Sequence, residues 1–380
     1  MPGLDSSPAR AWLAAWAAGG QPGPVGTIST APDLVAAAQY ESIVALVDWR
    51  LNKAAREFTV NQAQDANPPL PEVIKAFTTA ARDEALVSMV IEGESRRVLS
   101  LLADAGILGL LLKGSALAYW AYPQPHLRTC GDVDLLLPSR EAAEQLSARL
   151  TASGYERSET SGELVAYELL CRRPVTGDWK LEIDIHWRLA NSPLFSDVFT
   201  FDELMAESIS IPALAPNARG LGSVHALVHA CLHRAINLTN GVDDKLKWLY
   251  DLIVLMDVFT PEDWQKMMRI AIDKRLAGVV LNGLEMAAAT FGRELPADIQ
   301  VALKKASACE PLDAQRLSDW HYMQRKTFDA LPTQRLRLRW LWQRVFPSRD
   351  YLAYLYDRHQ QNYAALLFER LRRAMRRVKG

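Results

Sequence analysis

Two aspartates one residue apart, Asp132 and Asp134, lead into the apolar run Leu135-Leu136-Leu137. Side chains on a strand alternate faces, so both carboxylates point one way and Val133 points into the core. Two carboxylates at the edge of a greasy strand are costly unless something neutralises them. A divalent cation is the usual neutraliser, and hard oxygen ligands suit magnesium. Upstream, the apolar run 107–112 ends in Lys113-Gly114-Ser115. A glycine and a hydroxyl between a strand and a helix offer backbone N–H groups as a seat for nucleotide phosphates, with no side chain at the glycine to hold them off. Downstream, alternation through 181–187 places Leu181, Ile183, Ile185 and Trp187 on one face and Glu182, Asp184 and His186 on the other. Asp184 is thus a third strand-borne carboxylate. Asp132, Asp134 and Asp184 together suit a two-metal site for phosphoryl or nucleotidyl transfer, where ions about 3.5–4 Å apart stabilise the attacking and leaving oxygens.

The surrounding pattern is helices, a compact strand-rich centre, then helices. Asp33 can cap a helix over 34–51, and 61–71 reads as a polar linker. A long helical pattern follows over 71–105, with Gly93 its one weak point. The character changes at Gly106: strands at 107–112 and 132–137, a short helix at 115–122 stopped by Pro123 and Pro125, and a helix at 141–152 ended by Gly154. Runs at 164–171 and 179–187 read as two further strands joined by a turn. From 223 the chain reads helical to its end, in segments at 223–238, 244–258, 261–272, 276–290, 296–306, 311–330, 333–346 and 351–378. The expected organisation is a helical region 1–105, a core 106–210 and a helical domain 211–380, an α+β chain overall.

Composition narrows the class. With 380 residues and 49% apolar content the chain can bury a sizeable core. A formal net charge of −1 gives no chain-wide electrostatic case for nucleic acid. Cys130, Cys171, Cys231 and Cys309 are scattered without a CxxC pair, which argues against a disulfide framework or a zinc ribbon and fits a reducing compartment. No run approaches the roughly 18–20 apolar residues of a membrane span, and 11–18 makes a poor signal peptide. A cytoplasmic protein is expected.

The order Gly114-Ser115, Asp132-Val133-Asp134-Leu135, Ile183-Asp184-Ile185 resembles the nucleotidyltransferase superfamily built on a polymerase-β-like core. More narrowly, Leu112-Lys113-Gly114, Arg128 ahead of the aspartate pair, Asp184-Ile185-His186-Trp187-Arg188, His225 with His229, and Lys247-Trp248-Leu249-Tyr250-Asp251-Leu252 resemble a bacterial family of uncharacterised nucleotidyltransferases, over most of the chain from about 34 to 356. The resemblance implies a small mixed sheet flanked by helices and a magnesium-dependent transfer, with manganese able to substitute. It implies movement of a nucleoside monophosphate, AMP if ATP is the NTP, to an acceptor with release of pyrophosphate. The acceptor could be a small molecule, a peptide or protein, or RNA. Asp132, Asp134 and Asp184 would hold metal, and Gly114, Ser115, Lys113 and Arg128 the nucleotide. The sixteen residues 116–131 between the glycine–serine pair and the aspartates exceed the compact form of the superfamily pattern. A nucleotide-binding scaffold or sensor on the same fold is the alternative.

The other chemically suggestive residues have plainer readings beside these. Arg128 can hold triphosphate bidentately or pair with Asp132. Asp184 can instead pair with Arg188 or Lys180. Cys130 has no basic partner evident and reads as a small buried residue. His225, His229 and His233 form a stripe on one helix face. Eight residues of helix rise about 12 Å, so the three cannot easily share one ion, and packing is the expected role. Lys247 and Asp251 are spaced for a surface pair. Trp187 and Trp248 read as core. The last eleven residues hold Arg370, Arg372, Arg373, Arg376, Arg377 and Lys379, preceded by Arg335, Arg337, Arg339 and Arg344. Such a run is a solvated helix face, or a surface for RNA or an acidic membrane.

Overall fold

The computed structural model describes residues 8–20, 22, 30–61, 70–158, 166–177, 179–356, 358 and 360–378. The linker expected at 61–71 and much of the loop at 19–32 lie outside the described residues. So do 164–165 of the expected strand 164–171, the side chains of Arg376 and Arg377, and Lys379. The fold is α+β, as the sequence implies, with helices before and after a small sheet. Among the described residues, seven strands belong to a mixed sheet: β1 Leu110–Leu111, β2 Asp132–Leu136, β3 Glu156–Arg157, β4 Glu168–Thr176, β5 Trp179–His186, β6 Ile209–Ser210 and β7 Arg219–Gly220. The chain divides into two compact units that interleave in sequence. The first comprises Met1–Ser100, Leu110–Val133 and Leu204–Trp320, and the second Leu101–Gly109, Asp134–Glu203 and His321–Gly380.

In the first unit β1 pairs in parallel with β7, and β7 antiparallel with β6. The helices Ser223–Thr239, Leu246–Asp257, Pro261–Asp273, Ala277–Phe291 and Ala297–Ser307 pack on one another. Their starts are chemically specified. Thr260 and Asp263 form a reciprocal capping box, as do Thr30 and Asp33 at Ala31–Glu41. The helix expected over 34–51 is two helices, Ala31–Glu41 and Val44–Asn61, because Ser42 turns into the left-handed region at φ 56. The break leaves the buried Glu41 carboxylate to accept from Arg10 Nε at 2.9 Å and from the Leu246 N–H at 2.6 Å, so it caps the helix Leu246–Asp257. Likewise the segment expected over 311–330 is α-helical only at Trp320–Ala330, with a single 3-10 turn at Ala314–Arg316 before it. Ahead of it, the Glu310 carboxylate accepts the Ala277 and Gly278 N–H groups at 2.7 and 2.9 Å, capping Ala277–Phe291.

In the second unit β3, β4 and β5 form an antiparallel run with β2 beside β5, and the Leu137 N–H bonds the His186 carbonyl at 2.8 Å. In register, Leu170 faces Asp184 and Arg172 faces Glu182. The helix Arg140–Ala152, capped by Ser139, lays Ala143, Leu146 and Leu150 on this sheet. The single helix expected over 351–378 is divided into Arg349–Tyr356 and Tyr363–Val378, which meet through Leu352, Ala353 and Leu366.

Two glycines in helices should respond oppositely to the same change. A Cβ added at exposed Gly93 meets no atom within 4 Å, whereas one at Gly283 would stand 2.8 Å from the Cys231 sulfur. Gly93→Ala should raise stability by about 0.5–1 kcal/mol by relieving backbone entropy. Gly283→Ala should lower it by about 1–3 kcal/mol through overpacking. Denaturant melts of the two variants read both signs, and shifts in the same direction would contradict the packing described.

Candidate functional site

The second unit brings two of the predicted carboxylates together. Asp134 sits on β2 at 2% exposure, between Val133 and Leu135, which are fully buried. Asp184 and His186 lie two apart on β5 and so share a face. Asp134, Asp184 and His186 each offer a ligand atom, and these atoms lie within 4.8 Å of one another. His186 Nε2 is 3.4 Å from Asp134 Oδ1, and its Nδ1 is 3.3 Å from Glu168 Oε2. Glu168 in turn accepts from Asn191 at 2.7 Å, which completes a chain from Asn191 to Asp134. Glu182, on the same face, pairs with Arg172 across the hairpin at 2.6 Å. Arg188, one of the partners considered for Asp184, engages Asp197 and lies over the Tyr167 ring. Asp132 stands outside the convergence of ligand atoms. The sequence pattern put His186 on the correct face but assigned it no role. Its spacing from Asp184 was the available signal.

The segment expected to seat phosphate lies in the first unit. β1 runs through Leu112 into Lys113, which takes a left-handed conformation at φ 50 and opens the helix Lys113–Trp120. A side chain in that region is strained by about 1 kcal/mol or more, and such strain persists only where the surroundings impose it. Leu112, the residue before this helix, is extended and contributes no side-chain cap. Ser115, buried, donates to the Asp132 carbonyl at 3.3 Å, which ties the helix to the start of β2. The wall behind Gly114 is close. A Cβ there would stand 2.6 Å from the Cys130 sulfur and 2.7 Å from an Arg128 nitrogen. Close packing against its own chain, and not only approach of a ligand, therefore demands glycine.

Arg128 is held differently from either sequence reading. It is buried and bidentate to Asp251, with Nε to Oδ1 at 2.6 Å and a terminal nitrogen to Oδ2 at 2.8 Å. A further nitrogen donates to the Thr129 carbonyl at 2.8 Å, and the Tyr122 hydroxyl donates to Asp251 at 2.7 Å. The expected surface pair of Lys247 and Asp251 is accordingly replaced by a buried clamp. Lys247 is half-buried, and burial, with the Arg128 guanidinium second, pushes its pKa down; Cys130, Asp251 and Asp132 oppose that shift. Burial pushes the Cys130 thiol up to about 11, so it is no thiolate at neutral pH.

The histidine stripe packs, as expected of it. His225 lies 3.4 Å from Glu207, which also pairs with Lys266 at 2.5 Å. His233 meets Trp248 edge-on, with ring centroids 5.4 Å apart. His229, Lys113, Trp120 and Asp251 line a cavity of about 20 Å³, room for roughly one water. A second cavity, of about 360 Å³, is lined by Glu92, Ser115, Tyr119, His126, Arg128 and Cys130 among others, and lies in the size range of small-molecule sites.

A family model described as uncharacterised nucleotidyltransferase matches residues 29–292. The chain belongs to that family. The match covers Lys113, Gly114, Ser115, Arg128, Asp132, Asp134, Asp184, His186 and Asp251, and it ends at Gly292, the left-handed cap of Ala277–Phe291, well before the 356 expected from the resemblance. Among curated proteins, no match is found.

The clamp makes a stability prediction. Asp251→Ala strands a buried guanidinium and should cost about 3–5 kcal/mol. Replacing both partners, Arg128→Met with Asp251→Leu, should cost about 2 kcal/mol less than that single change. Equal losses in denaturant melts would mean that the pair is not coupled.

Proposed function

We propose that this family member transfers a nucleoside monophosphate from an NTP, with ATP the first donor to test, to a hydroxyl-bearing acceptor, releasing pyrophosphate. The convergence of Asp134, Asp184 and His186 carries the reading, supported by family membership and by the glycine–serine pair in the first turn of the helix Lys113–Trp120. The donor set fits a divalent cation. Two carboxylates satisfy the oxygen preference of Mg²⁺, and an imidazole beside them also accommodates Mn²⁺. A bound divalent ion would supply charge neutralisation at the triphosphate and polarise the reacting phosphorus.

In this reading Asp134 and Asp184 hold metal, with Asp132 joining them from two positions up β2. His186 either ligates or fixes the Asp134 carboxylate through its Glu168-braced ring. Gly114 and Ser115 receive phosphate oxygens on the helix N-terminus, and Lys113 and Lys247 add positive charge nearby. Arg128 serves by holding the wall behind Gly114, because Asp251 occupies its fork. The acceptor oxygen forms a bond to the α-phosphorus as the bond to the departing pyrophosphate breaks, and Asp184 takes the acceptor proton. The acceptor class stays open among small molecules, peptides or proteins, and RNA. A cytoplasmic setting goes with the NTP requirement.

Pyrophosphate release from Mg-ATP, assayed over a panel of acceptors, tests the proposal. Asp134→Asn and Asp184→Asn should each lower turnover by about 10³-fold or more while thermal melts keep their cooperativity. His186→Gln should leave a larger residue of activity than either. Undiminished release in Asp134→Asn would sink the mechanism. Calorimetric binding of Mg-ATP with no release against any acceptor would favour the scaffold or sensor reading.

A further inference from the structure

The helix Gln334–Val345 turns an apolar stripe to solvent. Leu338, Leu341, Trp342 and Val345 are 67, 42, 64 and 51% exposed, at spacing i, i+3, i+4 and i+7. Phe346 follows, its ring centroid 4.5 Å from that of Trp342. At 100° per residue the four fill an arc about 100° wide, and Arg335 and Arg339 border it on one side. The opposite side faces inward, where Trp340 is buried beneath Arg344. The helix Tyr363–Val378 adds Phe368 and Leu371, exposed at i, i+3, with Arg372 and Arg373 beside them. The two helices are tied together: Arg370 donates to the Arg344 carbonyl at 2.7 Å, and the Tyr363 hydroxyl to the Pro347 carbonyl at 3.0 Å.

Single exposed leucines are ordinary on protein surfaces, but a contiguous stripe of Leu, Trp, Val and Phe marks a contact surface. Its border of arginines selects an anionic partner. An RNA would use the arginines and aromatic planes but gives Leu338, Leu341 and Val345 nothing to bury in. A second copy placed on the same face by two-fold symmetry would bring like-charged borders together. A bilayer surface answers both halves, with acyl chains under the apolar arc and lipid phosphates at the arginines. Among the described residues no helix is long and apolar enough to cross a membrane, so the helix would lie in the plane of the interface. The stripe falls outside the family match at 29–292 and is independent of the transfer site.

We propose that the helices Gln334–Val345 and Tyr363–Val378 form a docking surface for an anionic lipid bilayer. Flotation of the full chain with vesicles tests it, using phosphatidylcholine alone and an equimolar mixture with phosphatidylglycerol. The mixed vesicles should carry the protein, about tenfold or more better than the neutral ones, and added salt should weaken the binding. A triple variant, Leu338→Ser with Trp342→Ser and Val345→Ser, should lose about tenfold or more of that binding, as should Arg335→Glu with Arg339→Glu. Circular dichroism of both should match the parent, since each position is exposed. Undiminished flotation of the folded triple variant overturns the proposal. So does binding to a single-stranded RNA oligomer without flotation, or a concentration-dependent dimer, lost in the triple variant, that leaves vesicles unbound.

Discussion

A carboxylate buried between a valine and a leucine has to be answered by positive charge or by a proton, because the interior solvates neither oxygen. Asp134 is that carboxylate, and the second unit is arranged around its answer. β5 brings His186 within 3.4 Å, Glu168 braces the far side of the ring, and Asn191 braces Glu168. Asp184 then adds a second negative group to a place already short of water. That combination suits a divalent cation, which is what the proposed transfer asks of the strand pair β2 and β5.

The first unit solves a different problem, that of packing a helix start closely against its own chain at Gly114. Arg128, Asp251 and Tyr122 form a satisfied buried network, so the guanidinium does not reach into the space ahead of Gly114. A buried pair of this kind contributes little net stability compared with apolar residues of similar volume, yet is strongly destabilising to break. Its use here is geometric. The wall at contact distance from Gly114 and the Ser115 bond to the Asp132 carbonyl both tie the start of the Lys113–Trp120 helix to the segment 128–132.

Much of this is legible in the sequence where a period or a turn residue carries it. The DxD spacing and the alternation of 181–187 put Asp134 and Asp184 on two strands without coordinates, and the structure has them on β2 and β5. The long helix Pro71–Asp104 and the helices from Ser223 to Ser307 follow their apolar periods closely. What stays hidden is non-local. β6 and β7 have two residues each, too short to show a period. The helix break at Ser42 depends on where Glu41 must reach, 205 positions away at Leu246. The partner of Arg128 is 123 residues distant, and no local spacing distinguishes it from Asp132. His186 was in plain view on the right face, but a histidine beside an aspartate acquires meaning only when a second carboxylate arrives from another strand.

The central claim is that Asp134 and Asp184, on β2 and β5, hold a divalent cation. The most direct measurement is a crystal structure of the full chain with Mn²⁺ and a non-hydrolysable ATP analogue, read at the manganese absorption edge. An anomalous peak within coordination distance of Asp134 and Asp184, with the triphosphate against the N–H groups of Gly114 and Ser115, is the predicted result. A fully occupied nucleotide with its manganese bound elsewhere, and Asp134 and Asp184 left unliganded, would contradict the account.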